Sequence, residues 1–419
     1  MAKVLVIGSG GREHAIAYKF KNSPSVDEVY VAPGNPGMGD VATIVDIKMD
    51  DYDKLVSFCK EKAIDLVFVG PEIPLCDGIV DELMVKGINV FGPTKAAARL
   101  EGSKVFSKMM MKKYAIPTAK YESFDDFEKA KAYLLAQSCP IVIKADGLAA
   151  GKGVVIPQTQ EEALKDLEDM MCNQLFKEAG KNVVIEEYLE GEEFSLLAFV
   201  KNDKVYGMQL AQDHKRAYDN DEGLNTGGMG AYTPVNHLPQ SAYEEAMEKI
   251  MKPMAKAMVD EGCPFTGVLY GGCMLTKDGV KTIEFNVRFG DPETEVILLA
   301  LQNDLYTTIM DILADKEVEL KFDDQKYLGV VMANKGYPQS YEKGAIISGL
   351  NDAQLVFHMG TAVDQDGNTI ATGGRVLFVV GKGDTLKQAK ENAYANVSKI
   401  KCDTLFYRHD IGDKGLKHE

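Results

Sequence analysis

Five short apolar runs in the first hundred residues, VLVIG, EVYVAPG, VATIVDI, LVFVGPE and NVFGPT, constrain this chain more than any other feature. Helix-like stretches follow most of them. Strands alternating with helices form a mostly parallel sheet covered on both faces, and ligands of such sheets sit beyond the carboxyl ends of the strands. Those ends are Gly8 to His14 (GSGGREH), Gly70-Pro71-Glu72 and Gly92-Pro93-Thr94.

GSGGREH invites a dinucleotide-binding reading, and with it an NAD-dependent oxidoreductase. The fingerprint GxGxxG, however, needs its third glycine where Glu13 stands. The acidic residue that should follow the second strand is also missing, because EVYVAPG runs into Gly34-Asn35-Pro36. NAD is therefore disfavoured. Two readings stay open: a bare strand-to-helix turn, or a helix N-terminus whose free amides suit a phosphate, with Arg12 alongside.

Residues 140 to 154, PIVIKADGLAAGKGV, raise a similar question. A Walker loop needs GxxxxGK[ST], but here three residues separate Gly147 from Gly151, and Gly153 follows Lys152 where a hydroxyl should stand. The loop belongs to a compact unit of about residues 123 to 188, with the helix DDFEKAKAYLLAQS, the strands PIVIKAD, VVIP and NVVIEEYL, and a second helix. A unit with its own glycine loop reads as a small lid. From 189 to about 327 follow longer strands, a hairpin at Thr276 to Lys281 marked by Asp278-Gly279, and two helices. The last segment holds the strands YLGVVMA and RVLFVVG and the helix DTLKQAKENAYANVSKI.

In KTIEFNVRF, period-2 alternation puts Ile283, Phe285, Val287 and Phe289 on one face and Glu284, Asn286 and Arg288 on the other. That polar face could simply meet water. The turn that follows, Gly290-Asp291-Pro292-Glu293, is crowded with carboxylates, which favours a site. A carboxylate and a carboxamide two apart can place two oxygens on a divalent ion while Arg288 neutralises a neighbouring anion. EEYLEGEEFS, from Glu186, is either a solvated acidic turn or a hinge whose backbone meets an adenine edge while Glu193 takes ribose hydroxyls. QDHKRAYDNDEGLNTGGMGAYTP (212 to 234) is long, polar and glycine-rich, the pattern of a functional loop.

Composition narrows the partners. The seven cysteines are scattered without CxxC spacing and the six histidines form no HxxxH pair, so oxygen ligands and Mg²⁺ are the default for any metal. A net charge of -16 repels nucleic acid and anionic membrane. No apolar run is long enough to span a bilayer, and MAKVLVIGSGG carries too short an apolar run for a signal peptide, so a cytoplasmic protein is expected. A length of 419 residues suggests roughly two to four domains.

Taken together, VLVIGSGGREHAIA, GPEIPLCDGIVD, GPTKAAARLEGSK, PIVIKADGLAAGKGV, EEYLEGEEFSLLAF, QDHKRAYDNDEGLNTGGMGAYTP and RFGDPETEV occur in collinear order over nearly the whole chain. In this the chain resembles the ATP-grasp enzymes and, within them, the glycinamide ribonucleotide synthetases. Val287, Phe378 and His409 depart from the usual family pattern. The resemblance implies an N-terminal mostly parallel α/β domain (1–102) for the phosphoribosyl substrate, an ATP-grasp body (103–122 and 189–327), an ATP-grasp lid (123–188) and a C-terminal β-rich domain (328–419). It further implies that ATP, glycine and 5-phosphoribosylamine give glycinamide ribonucleotide, ADP and phosphate through glycyl phosphate. A different ATP-grasp ligase or carboxylase of purine synthesis is the alternative.

By the same resemblance Lys104 and Lys144 contact ATP phosphates, and Gly147, Gly151, Lys152 and Gly153 close over them. Glu186, Glu187, Tyr188, Leu189 and Glu193 hold adenosine. Glu284 and Asn286 carry one or two Mg²⁺ or Mn²⁺ ions. Arg288, with Lys144, stabilises the acyl phosphate. Asp213, Asp291 and Glu293 are candidates for glycine's ammonium, and Gly10, Gly11, Arg12 and Glu72 for phosphoribosylamine. A monomer or weak homodimer is expected.

Overall fold

A computed structural model describes residues 1–148, 153–173 and 180–418. The N-terminal runs form one parallel sheet in the order Thr43–Ile44, Val26–Pro33, Ala2–Gly8, Leu66–Val69, Val90–Phe91. Strand order reverses between Ala2–Gly8 and Leu66–Val69. The turns after these two strands therefore lie side by side and leave a crevice at the carboxyl edge. VATIVDI is shorter as a strand than its sequence suggests. It lies at the sheet edge with one neighbour, and only Thr43–Ile44 pair.

The lid is a separate antiparallel sheet in the order Tyr121–Phe124, Val183–Glu187, Ile141–Ala145, Val154–Val155. Helices Phe127–Leu135 and Gln160–Met171 pack on it through Ala130, Leu134, Ala163 and Leu167, which with Ile143 and Ile185 form a core of their own. Gly191 carries the chain from lid to body. A Cβ there would lie 2.2 Å from the Leu275 carbonyl oxygen, so no side chain fits where the two backbones cross.

The body is an antiparallel sheet of Lys204–Gly207, Glu192–Lys201, Thr266–Thr276 and Gly279–Asn286. Three helical stretches accompany it where the sequence suggested two. Gln240–Ala246 continues through a π turn into Lys252–Asp260, and Glu293–Ala300 is cut off from Leu305–Leu313, whose first turn is capped by Asp304 accepting from the Thr307 amide at 2.9 Å. In the C-terminal domain the strands Lys326–Asn334 and Arg375–Gly383 are central. Gly230–Thr233 of the body pairs with Lys326–Asn334 and completes their sheet. The departure at Phe378 is absorbed here: its ring lies over Gly329, where a Cβ would sit 2.0 Å from the ring. Among the described residues no helix is long and apolar enough to cross a membrane.

Candidate active site

A cleft of ≈1040 Å³ opens where lid, body, N-terminal sheet and C-terminal domain meet, and a smaller pocket of ≈140 Å³ adjoins it. Its floor is the strand Gly279–Asn286. Strict alternation fails at one place on that strand. Gly272 pairs with Glu284 but Cys273 pairs with Thr282, so Ile283 is the unpaired residue of a β-bulge. Ile283 therefore joins Glu284, Asn286 and Arg288 in lining the cleft, while Phe285, Val287 and Phe289 are buried. The carbonyl freed by the bulge accepts a hydrogen bond from Lys144 Nζ at 3.1 Å.

Glu284 and Asn286 share one face, with Asn286 Nδ2 3.4 Å from Glu284 Oε1. Burial opposes the charge on Glu284, but Lys215, Lys144 and Lys104 outweigh it and hold the carboxyl below its usual range. An ionised carboxylate beside an amide oxygen is a hard donor pair. No cluster of three His, Cys, Asp or Glu suited to a metal occurs among the described residues. Two such oxygens would serve a hard divalent cation that takes its remaining donors from elsewhere than an all-protein cage.

The lysines converge from two elements. Lys144 Nζ lies 3.0 Å from Glu186 Oε1 and Lys108 Nζ 2.8 Å from Glu186 Oε2, and all three side chains are at most 5% exposed. Lys108 also donates to Thr118 Oγ1 at 2.7 Å. Lys104 donates to the Gly147 carbonyl at 3.0 Å, and Asp146 accepts from the Val105 amide at 3.1 Å, tying the lid strand to the start of helix Lys104–Lys113. Gly153 lines the smaller pocket; Gly151 and Lys152 lie outside the described residues. Glu186, Glu187, Tyr188 and Leu189 border the larger cleft together with Val142, Ile156 and Met274. The Glu186 side chain is the counter-ion between two lysines. Glu187 Oε1 accepts from the Lys120 amide at 3.0 Å and Lys281 Nζ at 3.3 Å. Glu193 pairs with Lys215 at 3.1 Å.

The three acidic candidates for the ammonium are brought to one end of the cleft but are not equivalent. Glu293 Oε1 accepts from Ser195 Oγ at 2.8 Å, which in turn meets Tyr270 Oη at 2.9 Å. Asp291 pairs with Arg375 Nη1 at 2.9 Å. That nitrogen also donates to the carbonyls of Asp291 and Gly227, each at 2.8 Å, so Asp291 ties the C-terminal domain to the body. Asp213 is pushed up to about 7 by burial and by Glu293 and Glu193, against the pull of Lys215.

At the N-terminal edge the turn is not a bare set of free amides. Glu13 reaches back so that Oε2 accepts from the Gly10 amide at 2.7 Å, the reciprocal half of a capping box. Its side chain runs between Gly8 and Gly70, where Cβ atoms would fall within 2.3 and 2.2 Å of it. This is the position at which the dinucleotide fingerprint failed. Arg12 Nε donates to Glu13 Oε1 at 2.6 Å, and Arg12 Nη1 donates to the Phe289 carbonyl at 3.0 Å and stands 3.9 Å from Glu72 Oε2. Gly10 and Gly11 open helix Gly11–Lys21 beside them. Arg288 faces Glu72 Oε2 at 3.3 Å and Glu101 Oε1 at 2.9 Å.

Lys108, Lys215 and Glu101 escaped the sequence reading. Lys108 follows Lys104 by one helical turn and so shares its face, a signal that was present. Glu101 and Lys215 carry no such local mark.

Comparison with known proteins covers nearly the whole chain. Models of the phosphoribosylglycinamide synthetase N domain, ATP-grasp (A) domain and C domain match residues 2–101, 102–294 and 327–414. A phosphoribosylamine–glycine ligase from Halalkalibacterium halodurans is 55% identical over 416 residues, covering 99% of this chain and 97% of that one. The crystal structure of a phosphoribosylamine–glycine ligase from Thermotoga maritima superposes with a TM-score of 0.85 at 36% identity, covering 98% of this chain and 100% of that one. The biotin carboxylase domain of the 2-oxoglutarate carboxylase from Hydrogenobacter thermophilus shares the fold at 17% identity, with a TM-score of 0.71 and coverage of 97% and 91%. Three consecutive family models spanning nearly all of the sequence, a full-length relative at such identity and a shared fold establish that the chain belongs to the phosphoribosylglycinamide synthetase family of ATP-grasp enzymes.

Proposed function

We infer that this chain is a phosphoribosylamine–glycine ligase, which joins glycine to 5-phosphoribosylamine at the expense of ATP in purine biosynthesis. The observation that carries the reading is convergence. A half-buried ionised carboxylate with an amide, Glu284 and Asn286, faces Lys104 and Lys144, while acidic groups and an arginine-lined crevice flank the same cleft.

A carboxylate is a poor electrophile until phosphorylated. Glycine's carboxylate oxygen attacks the γ-phosphorus, the bond to the β,γ-bridging oxygen breaks, and ADP leaves. The amine of phosphoribosylamine then attacks the acyl carbon, the carbon–oxygen bond to phosphate breaks, and the amine gives up a proton. The protein's work is positioning, charge neutralisation and exclusion of water. Lys104 and Lys144 are assigned to the phosphates, the edge Glu186–Leu189 with Glu193 to adenosine, and Arg288 to the charge of the acyl phosphate. Asp213 and Glu293 are assigned to glycine's ammonium, with Asp291 beside them held by Arg375. Gly10, Gly11, Arg12 and Glu72 are assigned to the phosphoribosyl group, by way of the Arg12 and Arg288 guanidiniums rather than the Gly10 amide, which Glu13 occupies. Glu284 and Asn286 would hold Mg²⁺ or Mn²⁺, one or two ions, which when bound neutralises phosphate oxygens. In this reading residues 1–102 bind the phosphoribosyl substrate, 103–122 with 189–327 form the body, 123–188 the lid and 328–419 complete the site. The enzyme acts in the cytoplasm as a monomer or weak homodimer.

The test is ADP release with each substrate omitted in turn and glycine exchanged for other amino acids. Turnover is expected only with all three substrates present. Steady ADP formation without glycine, or without phosphoribosylamine, would refute the assignment.

A further inference from the structure

Arg288 is held by a carboxylate to which nothing above gives a role. Glu101 lies near the end of helix Lys95–Gly102, buried, with each oxygen engaged by one of two consecutive residues of the segment that leaves the metal-site strand. Oε2 accepts from the Val287 amide at 2.8 Å, and Oε1 pairs with Arg288 Nη2 at 2.9 Å. One carboxylate thus anchors both the backbone directly after Asn286 and the guanidinium that follows. On the other side of Arg288 the charges continue: Glu72 Oε2 is 3.3 Å from Arg288 Nε and 3.9 Å from Arg12 Nη1. Two glutamates and two arginines therefore alternate from the nucleotide pocket to the crevice of the parallel sheet.

Burial disfavours a charged Glu101, with Glu72 and Glu284 adding to the cost, and Arg288 and the Val287 amide work against it. A carboxylate kept buried against its own desolvation, with both oxygens spent on adjacent residues of one segment, holds geometry that an apolar side chain could not.

We propose that Glu101 is a positioning residue for the ligation: it clamps Val287 and Arg288 together, so that the guanidinium and the metal-site strand keep one fixed relation. This rests on the reading of Arg288 as the group that stabilises the acyl phosphate. Glu72 does not substitute for Glu101, because it pairs with the Arg288 and Arg12 guanidiniums and makes no bond to the Val287 amide. Misplacing such a group by about 1 Å can cost on the order of 10²-fold in rate.

The experiment is a double-mutant cycle on the full-length enzyme with Glu101→Gln, Arg288→Lys and the pair, reading kcat, KM for each substrate and Tm. Glu101→Gln keeps the volume but loses the charge. It is expected to lower kcat by roughly 10- to 100-fold with KM for ATP changed less than about threefold, and the pair is expected to lose no more than the worse single variant. Glu101→Asp, which keeps the charge but withdraws it by one methylene, is expected to lose kcat in the same direction by a smaller factor, and it serves if Glu101→Gln does not fold. Wild-type kcat in Glu101→Gln or Glu101→Asp, losses that multiply in the double variant, or an effect confined to Tm overturns the inference. Wild-type kcat in Arg288→Lys instead overturns the reading of Arg288 on which it rests.

Discussion

Replacing Glu186 with Gln would strip the counter-ion from two buried lysines without changing side-chain volume, and the cost can be bounded from the structure. Lys108 and Lys144 approach separate oxygens of Glu186 at 2.8 and 3.0 Å. Removing one partner of a buried ion pair costs about 3–5 kcal/mol. Lys108 has an escape, which is to lose its proton: burial, outweighing the attraction of Glu186, has already pulled it down to about 8, so at pH 7 only about 1.4 kcal/mol remains before it is neutral. That bounds the Lys108 share, and with Lys144 also left without its partner the loss should fall at about 3–5 kcal/mol. At about 2.1 cal/mol/K of unfolding entropy per residue over 419 residues, each kcal/mol is worth about 1 °C, so Tm would drop by about 3–6 °C.

The pH dependence adds a signature. In the variant folded Lys108 binds fewer protons than the unfolded residue, so stability rises with pH toward the unfolded value near 10.4. In the wild type the Lys108 contribution to that rise begins only near 8. The deficit of the variant should therefore be largest at pH 7 and narrower at pH 9, as read by calorimetry or urea unfolding at both. A deficit below about 1 kcal/mol at pH 7, or one unchanged at pH 9, would refute the reasoning, since either result means that the lysines do not depend on Glu186.

Three further outcomes are expected. Glu284→Ala should lower kcat by at least about 10²-fold, or about 2.7 kcal/mol, at saturating Mg²⁺, and near-normal turnover there would remove it from the metal site. Asp213 titrates at about 7 and is neutral below that value, so KM for glycine should rise as pH falls from 8 to 6 in the wild type and stay high and flat in Asp213→Asn. Parallel profiles in the two enzymes would exclude its carboxylate from binding the ammonium. Glu295 is fully buried with neither oxygen hydrogen-bonded, and burial and Asp291 raise it well above the usual carboxyl range against Arg375 and Arg12. A raised folded value means stability is lost as pH climbs above the unfolded value near 4.3, so Glu295→Gln should be more stable than wild type at pH 8 and less so at pH 5. Equal Tm differences at the two pH values would contradict this.

Much of the fold was legible because it rests on local periodicity. The parallel N-terminal sheet, the lid around PIVIKAD and the hairpin at Asp278-Gly279 all follow from apolar spacing and turn residues. The shared face of Glu284, Asn286 and Arg288 was likewise readable from period-2 alternation. Ile283 was misread by the same rule, because a bulge is set by the pairing of two strands and leaves no mark in the period of one. The turn at GSGGREH could be recognised as unlike the dinucleotide motif, yet not that Glu13 fills the gap between Gly8 and Gly70, since Gly70 arrives from another strand.

By itself, then, the sequence determined the element types, the order of the units and the residue types of the chemistry, all encoded in spacings of a few residues along one segment. Tertiary structure alone decided which charges neutralise one another. Glu186 is a counter-ion to Lys108 because the lid strand Val183–Glu187 lies across helix Lys104–Lys113, and to Lys144 because that strand pairs with Ile141–Ala145, while Glu101 grips Arg288 across 187 residues of chain. Coulomb energy and desolvation depend on distance and burial in space, and these exist only once the chain has folded.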